Sequence, residues 1–342
     1  MDAFYVSVEL RRRPELRGLP VIVAGDGPRA VVTTASYEAR RFGIGSAMPA
    51  ARARRLCPDG VYLRPDFPYY RDASREVMAI VRAQVQSVEV VGLDEAYLDL
   101  SGLPAPHAAM RRLALEIERA AGLRCSVGIG PSKLVAKVAS DAEKPRGFVV
   151  LTREQASARF AGAPCGLVPG IGPKTAERLR QCGIETLGEL AAASTAELAA
   201  RFGSRLGAEL RRRARFLDDT PVTEQRKVIS ESREVTFDYD ILGLEQLEPM
   251  LEQLVGRLCA ALVAQRRCGR TIGIKVRLSD FSTHTRARTL SVPVSDAEQV
   301  GPVALELLRR FAPPRPVRLL GVRVAGLEPA HDRAEQQLSL AL

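Results

Sequence analysis

The sequence predicts a multi-domain α+β protein, and three observations predict it. Helical and strand patterns alternate over 67–155 and again over 228–327, as in sheets covered by helices. Between these stretches, 157–220 carries helical spacing without strand signals. The length of 342 residues gives room for two or more domains.

Residues 1–66 read as short elements. Val21 to Val23 and Ala30 to Thr34 are strand-like, and Ala35 to Arg41 and Ala50 to Leu56 are helical. Pro49 opens the second helix, since its fixed φ suits a first turn. A further helix runs to about Val85. Val88-Glu89-Val90, a break near Gly92 and Ala96 to Leu100 then form a hairpin. A helix over roughly 106–121, the strand Cys125 to Ile129 and a helix from about Pro131 follow. After the helical stretch, 216–227 (FLDDTPVTEQRK) is polar with a proline and reads as a linker.

Beyond it, Leu247, Leu251, Leu254, Leu258 and Leu262 recur at helical spacing. Ile272, Ile274, Val276 and Leu278 alternate with period two, which makes a strand with one apolar face. Val300, Val303, Leu307, Leu308 and Phe311 mark a second helix, and a last strand spans about 317–325. The order is that of a β-α-β-β-α-β unit.

The formal charge of +10 points to a polyanionic partner, nucleic acid first. No apolar run is long enough to span a bilayer, and no apolar leader opens the chain. Cys57, Cys125, Cys165, Cys182, Cys259 and Cys268 form no CxxC pair, and with three histidines they argue against zinc. Scattered cysteines without an export signal suit a reducing cytoplasm.

The chemistry centres on Gly92-Leu93-Asp94-Glu95-Ala96-Tyr97. Adjacent carboxylates in an apolar setting are costly to bury unless a cation neutralises them. Hard divalent ions such as Mg²⁺ take carboxylates together with substrate phosphates. Neighbours on a regular strand face opposite ways, so the pair shares an ion only where the backbone turns, and Gly92 permits a turn.

Four segments occur together in order: MDAFYVSVE at the start, ASYEARRFG at 35–43, GLDEAYLDL at 92–100, and SVGIGPSKLVAKVASDAEKPRG at 126–147. In sequence and spacing they resemble the Y-family translesion DNA polymerases, the bacterial branch most of all, and the resemblance covers nearly the whole chain. It implies a right-handed polymerase with a ferredoxin-like palm (1–5 and 67–155), small fingers (6–66) and an all-helical thumb (156–217). A linker (218–227), a little finger (228–328) and a tail (329–342) complete it. The implied reaction is template-directed addition of a deoxynucleoside monophosphate to a primer 3′-hydroxyl, of low fidelity, in translesion synthesis and DNA repair.

Carried onto this sequence, the resemblance makes Asp94 and Glu95 the catalytic carboxylates on two Mg²⁺ ions, with the Met1 main-chain carbonyl as a further ligand. Tyr37, Arg40 and Lys137 would grip the incoming dNTP beside Thr34. Arg40 can pair with phosphate through two N–H groups, whereas Lys137 is a point charge. Tyr5 matches the ring that collides with a ribose 2′-hydroxyl, and Phe4 an adjacent pocket aromatic.

Primer–template DNA is the implied partner of two further features. Leu167-Val168-Pro169-Gly170-Ile171-Gly172-Pro173-Lys174-Thr175 resembles a helix-hairpin-helix, in which Gly170, Gly172 and Lys174 meet phosphate without reading bases. Between Arg266 and Arg288 stand seven basic residues and one acid, Asp280. Lys275 and Arg277 alternate with the apolar strand positions and so share the other face, which suits salt-dependent backbone binding. Gln337, Leu338, Leu340 and Leu342 resemble a peptide that docks on a sliding clamp, which would raise local concentration at the primer end. Nothing suggests an obligate oligomer or a membrane, and the chain is expected to be a cytoplasmic monomer.

One departure stands out. The family motif has an Asp two positions before the residue matched by Asp2, and here that position precedes Met1. The expectation is an internal methionine codon taken as the start, with weak polymerisation by the chain as written. The alternative is a catalytically impaired DNA- and clamp-binding accessory protein. A nucleotide cyclase with a palm-like sheet is a further class, disfavoured by the helix-hairpin-helix and the basic second α+β unit.

Overall fold

The computed structural model describes residues 1–224 and 228–330. Two compact units are present, Met1–Asp26 with Ala30–Gln225, and Gly27–Arg29 with Arg226–Leu342. No helix among the described residues is long and apolar enough to cross a membrane.

The first unit opens with α1 (Phe4–Arg12), entered through Ala3 at a φ of 44°. A left-handed backbone at a non-glycine residue marks a forced turn. Strands β1 (Val21–Ala24) and β2 (Val32–Ala35) then pair antiparallel. Helix α2 (Tyr37–Arg40) follows, capped by Ser36, whose hydroxyl accepts from the Ala39 amide. After α3 (Ala50–Leu56), β3 (Val61–Leu63) joins β1 in parallel, giving the order β2-β1-β3. Small buried residues, Ala24, Ala35, Ala39, Ala50 and Ala53, let these elements approach around Ile22 and Ile44. These elements form a small three-stranded layer.

Helix α4 (Phe67–Gln84) starts on Asp66, whose carboxylate accepts from the Tyr69 amide. Strands β4 (Val88–Val90) and β5 (Ala96–Leu98) form the expected hairpin, with Val88 opposite Leu98. Helix α5 (Pro106–Ala121) ends on left-handed Gly122, as helices often do. Strand β6 (Val127–Ile129) pairs in parallel with β7 (Phe148–Val150) across α6 (Lys133–Ala142), which Ser132 caps. A Cβ on Gly128 would collide with the Ala136 carbonyl and the Ser140 amide. That position must be glycine for α6 to lie on β6. The palm therefore carries two strand pairs, and β5 and β6 both border a cavity of about 630 Å³.

Helices α7 (Arg153–Phe160), α8 (Pro173–Arg180), α9 (Leu187–Ala192), α10 (Thr195–Phe202) and α11 (Ser204–Ala214) build the helical region. Capping boxes at Thr152/Gln155, Thr186/Glu189 and Ser194/Glu197 start three of them. Leu179, Leu187, Leu190, Leu198 and Leu210 fill its core, joined by Leu134 and Val138 of α6 and by Val149 of β7. The expected border at 155/156 thus falls inside α7 and inside one shared core.

The segment expected as a free linker is held where it is described. Asp218 accepts from the Leu134 amide, and the Thr223 amide donates to Glu89. Its polarity serves local hydrogen bonds as well as solvent.

The second unit has β8 (Ser230–Ile241), α12 (Leu244–Ala264), β9 (Arg267–Leu278), β10 (Thr283–Val294), α13 (Ala297–Phe311) and β11 (Val317–Pro329). Its antiparallel sheet runs β10-β9-β11-β8. Leu247, Leu251, Leu254, Leu258 and Leu262 of α12 pack on Ile272, Ile274, Val276 and Leu278, as the two periodicities require.

Candidate active site

A pocket of about 270 Å³ opens where the N-terminal segment, the fingers strands and the palm hairpin meet. Met1, Phe4 and Tyr5 arrive from the start of the chain, Thr34, Tyr37 and Arg40 from β2 and α2, and Asp94 from the β4–β5 turn. Each sits where local structure puts it. The Met1 nitrogen donates to the Asp94 carbonyl at 2.7 Å. Ser36 caps α2, so Tyr37 and Arg40 stand on its single turn, with the Arg40 guanidinium 4.5 Å from the Tyr37 ring centre. The Val91 and Gly92 amides both donate to the Glu95 carbonyl, closing the turn that presents the two carboxylates.

The electrostatics suit a polyanion and a cation together. The Tyr37 hydroxyl is buried with no hydrogen-bond partner among the described residues. Burial raises its pKa, nearby Asp2 adds to this and Arg40 opposes it, so the group stays a donor at neutral pH. Burial also raises the pKa of Tyr5, with the Asp94 charge reinforcing it.

Glu95 and Lys137 stand beside this pocket, lining the larger cavity, as do Met1 and Asp94. The Lys137 ammonium pairs with Glu95 and, at 3.2 Å, with Asp141. Burial pulls its pKa down, but the two carboxylates outweigh that and raise it, so Lys137 stays charged. The sequence grouped Lys137 with Tyr37 and Arg40, whereas the structure sets it against Glu95. The lysine that lines the smaller pocket is Lys144, held at 2.6 Å by Asp141. Helix geometry explains this. Lys137 points from inside α6 toward the hairpin, and Lys144 lies in the turn just beyond the helix. Lys144 was legible as the cation of KPRG at 144–147, and Thr33 and Ser46, also at the pocket, carried no sequence signal.

Asp2 is not aimed at the pocket. It is buried, accepting from the Ser126 hydroxyl and the Arg146 amide, both at 2.8 Å. It ties the N-terminal segment to β6 and to the turn that holds Lys144. Among the described residues, no group of three His, Cys, Asp or Glu is arranged to hold a metal. The donors at the turn still fit a hard divalent cation, which uses one or two carboxylates plus phosphate oxygens and water. Asp94 makes no salt bridge among the described residues, and Glu95 is held only by a displaceable ammonium.

The helix-hairpin-helix glycines lie exposed ahead of α8, and Lys174 lies exposed in its first turn. Gly170 adopts a φ of 90°, and a Cβ there would press on the Arg213 guanidinium, which donates to the Pro169 carbonyl at 2.6 Å. Lys275 and Arg277 lie half-buried on the sheet face opposite α12, Lys275 paired with Glu234 and Arg277 donating to Thr283. The basic run is not all on that face. Arg286 lies over Phe311 and Arg288 pairs with Glu306, both on α13, because strand alternation turns these two toward the helices. Gln337, Leu338, Leu340 and Leu342 lie outside the described residues.

A mixed α+β unit with a nucleotide-sized pocket reaching Asp94, with Glu95 beside it, together with a helix-hairpin-helix and a basic sheet, has the parts of a nucleic-acid polymerase. Residues 1–141 match the impB/mucB/samB family, 226–340 its C-terminal domain, and 166–218 a DNA polymerase-iota thumb domain. The chain is 44% identical to DNA polymerase IV of Methanoculleus marisnigri, over 96% of this chain and 93% of that one. It is 42% identical to DNA polymerase IV of Alkalilimnicola ehrlichii, over 99% and 97%. A solved Y-family DNA polymerase chimera superposes with a TM-score of 0.84 at 25% identity, covering 95% of this chain and 96% of the other. The chain belongs to the impB/mucB/samB family of Y-family DNA polymerases.

Proposed function

We propose that the chain adds deoxynucleoside monophosphates to a primer 3′-hydroxyl under template direction, in low-fidelity synthesis past damaged DNA. The observation that carries this is the single pocket joining Tyr5, Tyr37, Arg40 and Asp94 from three separate segments. Chance packing has no reason to gather an aromatic floor, an unpaired phenol, a guanidinium and a carboxylate into a nucleotide-sized volume.

Each side chain has a task. Arg40 offers a planar fork to phosphate oxygens, and Lys144 a point charge. The Tyr37 hydroxyl, without a hydrogen-bond partner among the described residues, donates to the triphosphate. Tyr5 packs against the sugar and excludes a 2′-hydroxyl. Lys137 pairs with Glu95 and holds that carboxylate in place. Asp94, Glu95 and the Met1 carbonyl would hold two Mg²⁺ ions, which would supply charge neutralisation at the transferring phosphoryl group. Gly170, Gly172, Lys174, Lys275 and Arg277 hold the DNA backbone. The terminal Gln337-to-Leu342 peptide engages a sliding clamp, and the protein works as a cytoplasmic monomer.

The test is extension of a labelled primer–template with Mg²⁺ and dNTPs. Asp94→Ala is expected to cut the rate by at least about 10³-fold, since charge stabilisation of this kind contributes several kcal/mol. Extension that survives the substitution would contradict the assignment.

A further inference from the structure

Tyr5 does not stand alone at the pocket. Its ring stacks on Tyr70 of α4, with centroids 4.5 Å apart and planes 24° apart. Phe67 meets Tyr5 edge-on at 6.0 Å and meets Tyr70 in the same way. Tyr70 is fully buried, and its hydroxyl donates to the Glu9 carboxylate at 2.7 Å. Glu9 is also fully buried, one helical turn along α1 from Tyr5, and accepts from Arg12 and Arg13. Arg12 reaches on to Asp66 at 3.0 Å, the residue that caps α4.

These contacts close a loop. Tyr5 leans on Tyr70, Tyr70 is pinned by Glu9, and Glu9 and Arg12 lock α1 to the start of α4. A fully buried carboxylate is an expensive way to join two helices, and apolar residues of similar volume commonly serve at least as well for stability. What an apolar contact lacks is direction. The bond to Glu9 fixes the axis of the Tyr70 ring and, because a phenol O–H prefers the ring plane, favours one plane, which offset stacking passes to Tyr5. A ring that excludes one hydroxyl must be held to a fraction of an ångström, which a flexible neighbour does not achieve.

We propose that Tyr70, pinned by Glu9 and flanked by Phe67, is a positioning residue for sugar discrimination: it fixes the plane of Tyr5 and sets the preference for deoxyribose over ribose. This rests on reading Tyr5 as the ring that meets the sugar. Tyr70 touches no substrate and acts only through Tyr5.

The experiment measures dissociation constants of dATP and ATP by calorimetry, using the full chain on a dideoxy-terminated primer–template with dT as the next template base. Equilibrium binding keeps the readout apart from the rate of chemistry. Tyr5→Ala is expected to collapse the ATP-to-dATP ratio. Tyr70→Leu should lower it by roughly 2- to 12-fold, the range of one aromatic pair, chiefly through tighter ATP binding. Tyr70→Phe, which keeps the stack but frees the ring from Glu9, should give a ratio between those of the unmutated chain and Tyr70→Leu. Phe67→Leu, at a position 43% exposed, provides the same test without disturbing the core and should shift the ratio the same way.

A merely structural Tyr70 would weaken both nucleotides equally. An unchanged ratio in Tyr70→Leu and Phe67→Leu, beside a collapsed ratio in Tyr5→Ala, overturns the proposal alone. An unchanged ratio in Tyr5→Ala overturns the Tyr5 assignment and the proposal with it.

Discussion

Lys137 and Lys144 stand one on α6 and one just past its end, and only their surroundings tell them apart. Lys137 is charged and spent on Glu95 and Asp141. Lys144 has Asp141 on one side and the smaller pocket on the other. Lys144→Ala is therefore expected to weaken dNTP binding by roughly 10- to 100-fold, as loss of a charge-assisted contact does. Lys137→Ala should act mainly on the rate of the chemical step, since it leaves the Glu95 carboxylate without its partner. Single-turnover kinetics over a range of dNTP concentrations separates the two effects. The sequence singled out Lys137 alone, and that Lys144 lines the smaller pocket depends on where α6 stops.

Elements were legible where local chemistry alone decides them. The β4–β5 hairpin, α5 and α12 lie where periodicity, Pro106 and the leucine spacing put them. Pairing beyond the hairpin was not legible, because parallel partners such as β6 and β7 are joined by hydrogen bonds that leave no pattern in either segment. The SVGIG motif shows both sides. Its strand character is plain, but the need for Gly128 appears only when α6 is seen pressed on it. Gly128→Ala should cost about 1–3 kcal/mol, the usual penalty of overpacking, because backbone atoms receive the new methyl. A lower thermal midpoint by calorimetry checks this, whereas Gly162→Ala, with open space around it, should be close to neutral.

At the scale of the whole molecule, the charge of +10 and the two basic features predict binding to DNA that weakens with salt. Lys275→Ala and Arg277→Ala should each make the slope of log affinity against log salt shallower by about 0.9 at a duplex phosphate contact, without changing sequence preference. Arg288→Ala should leave the slope nearly unchanged, because that guanidinium is turned to Glu306. Fluorescence anisotropy on two unrelated primer–template sequences at several salt concentrations distinguishes the three. The sequence counted seven basic residues in this run, and strand register decides which of them face away from the helices.

The sequence by itself determined the family, the order of the α+β and helical regions, and the carboxylate pair at Asp94 and Glu95. Those follow from composition, periodicity and ordered motifs, which are properties of a chain read along its length. Tertiary structure alone decided that Asp2 is a buried tie, that Lys144 lines the smaller pocket while Lys137 lies against Glu95, and that Tyr70 and Glu9 stand behind Tyr5. Each of these is a contact between segments distant in sequence. Direction and burial at such contacts are set by how helices and strands pack, and no local pattern encodes them.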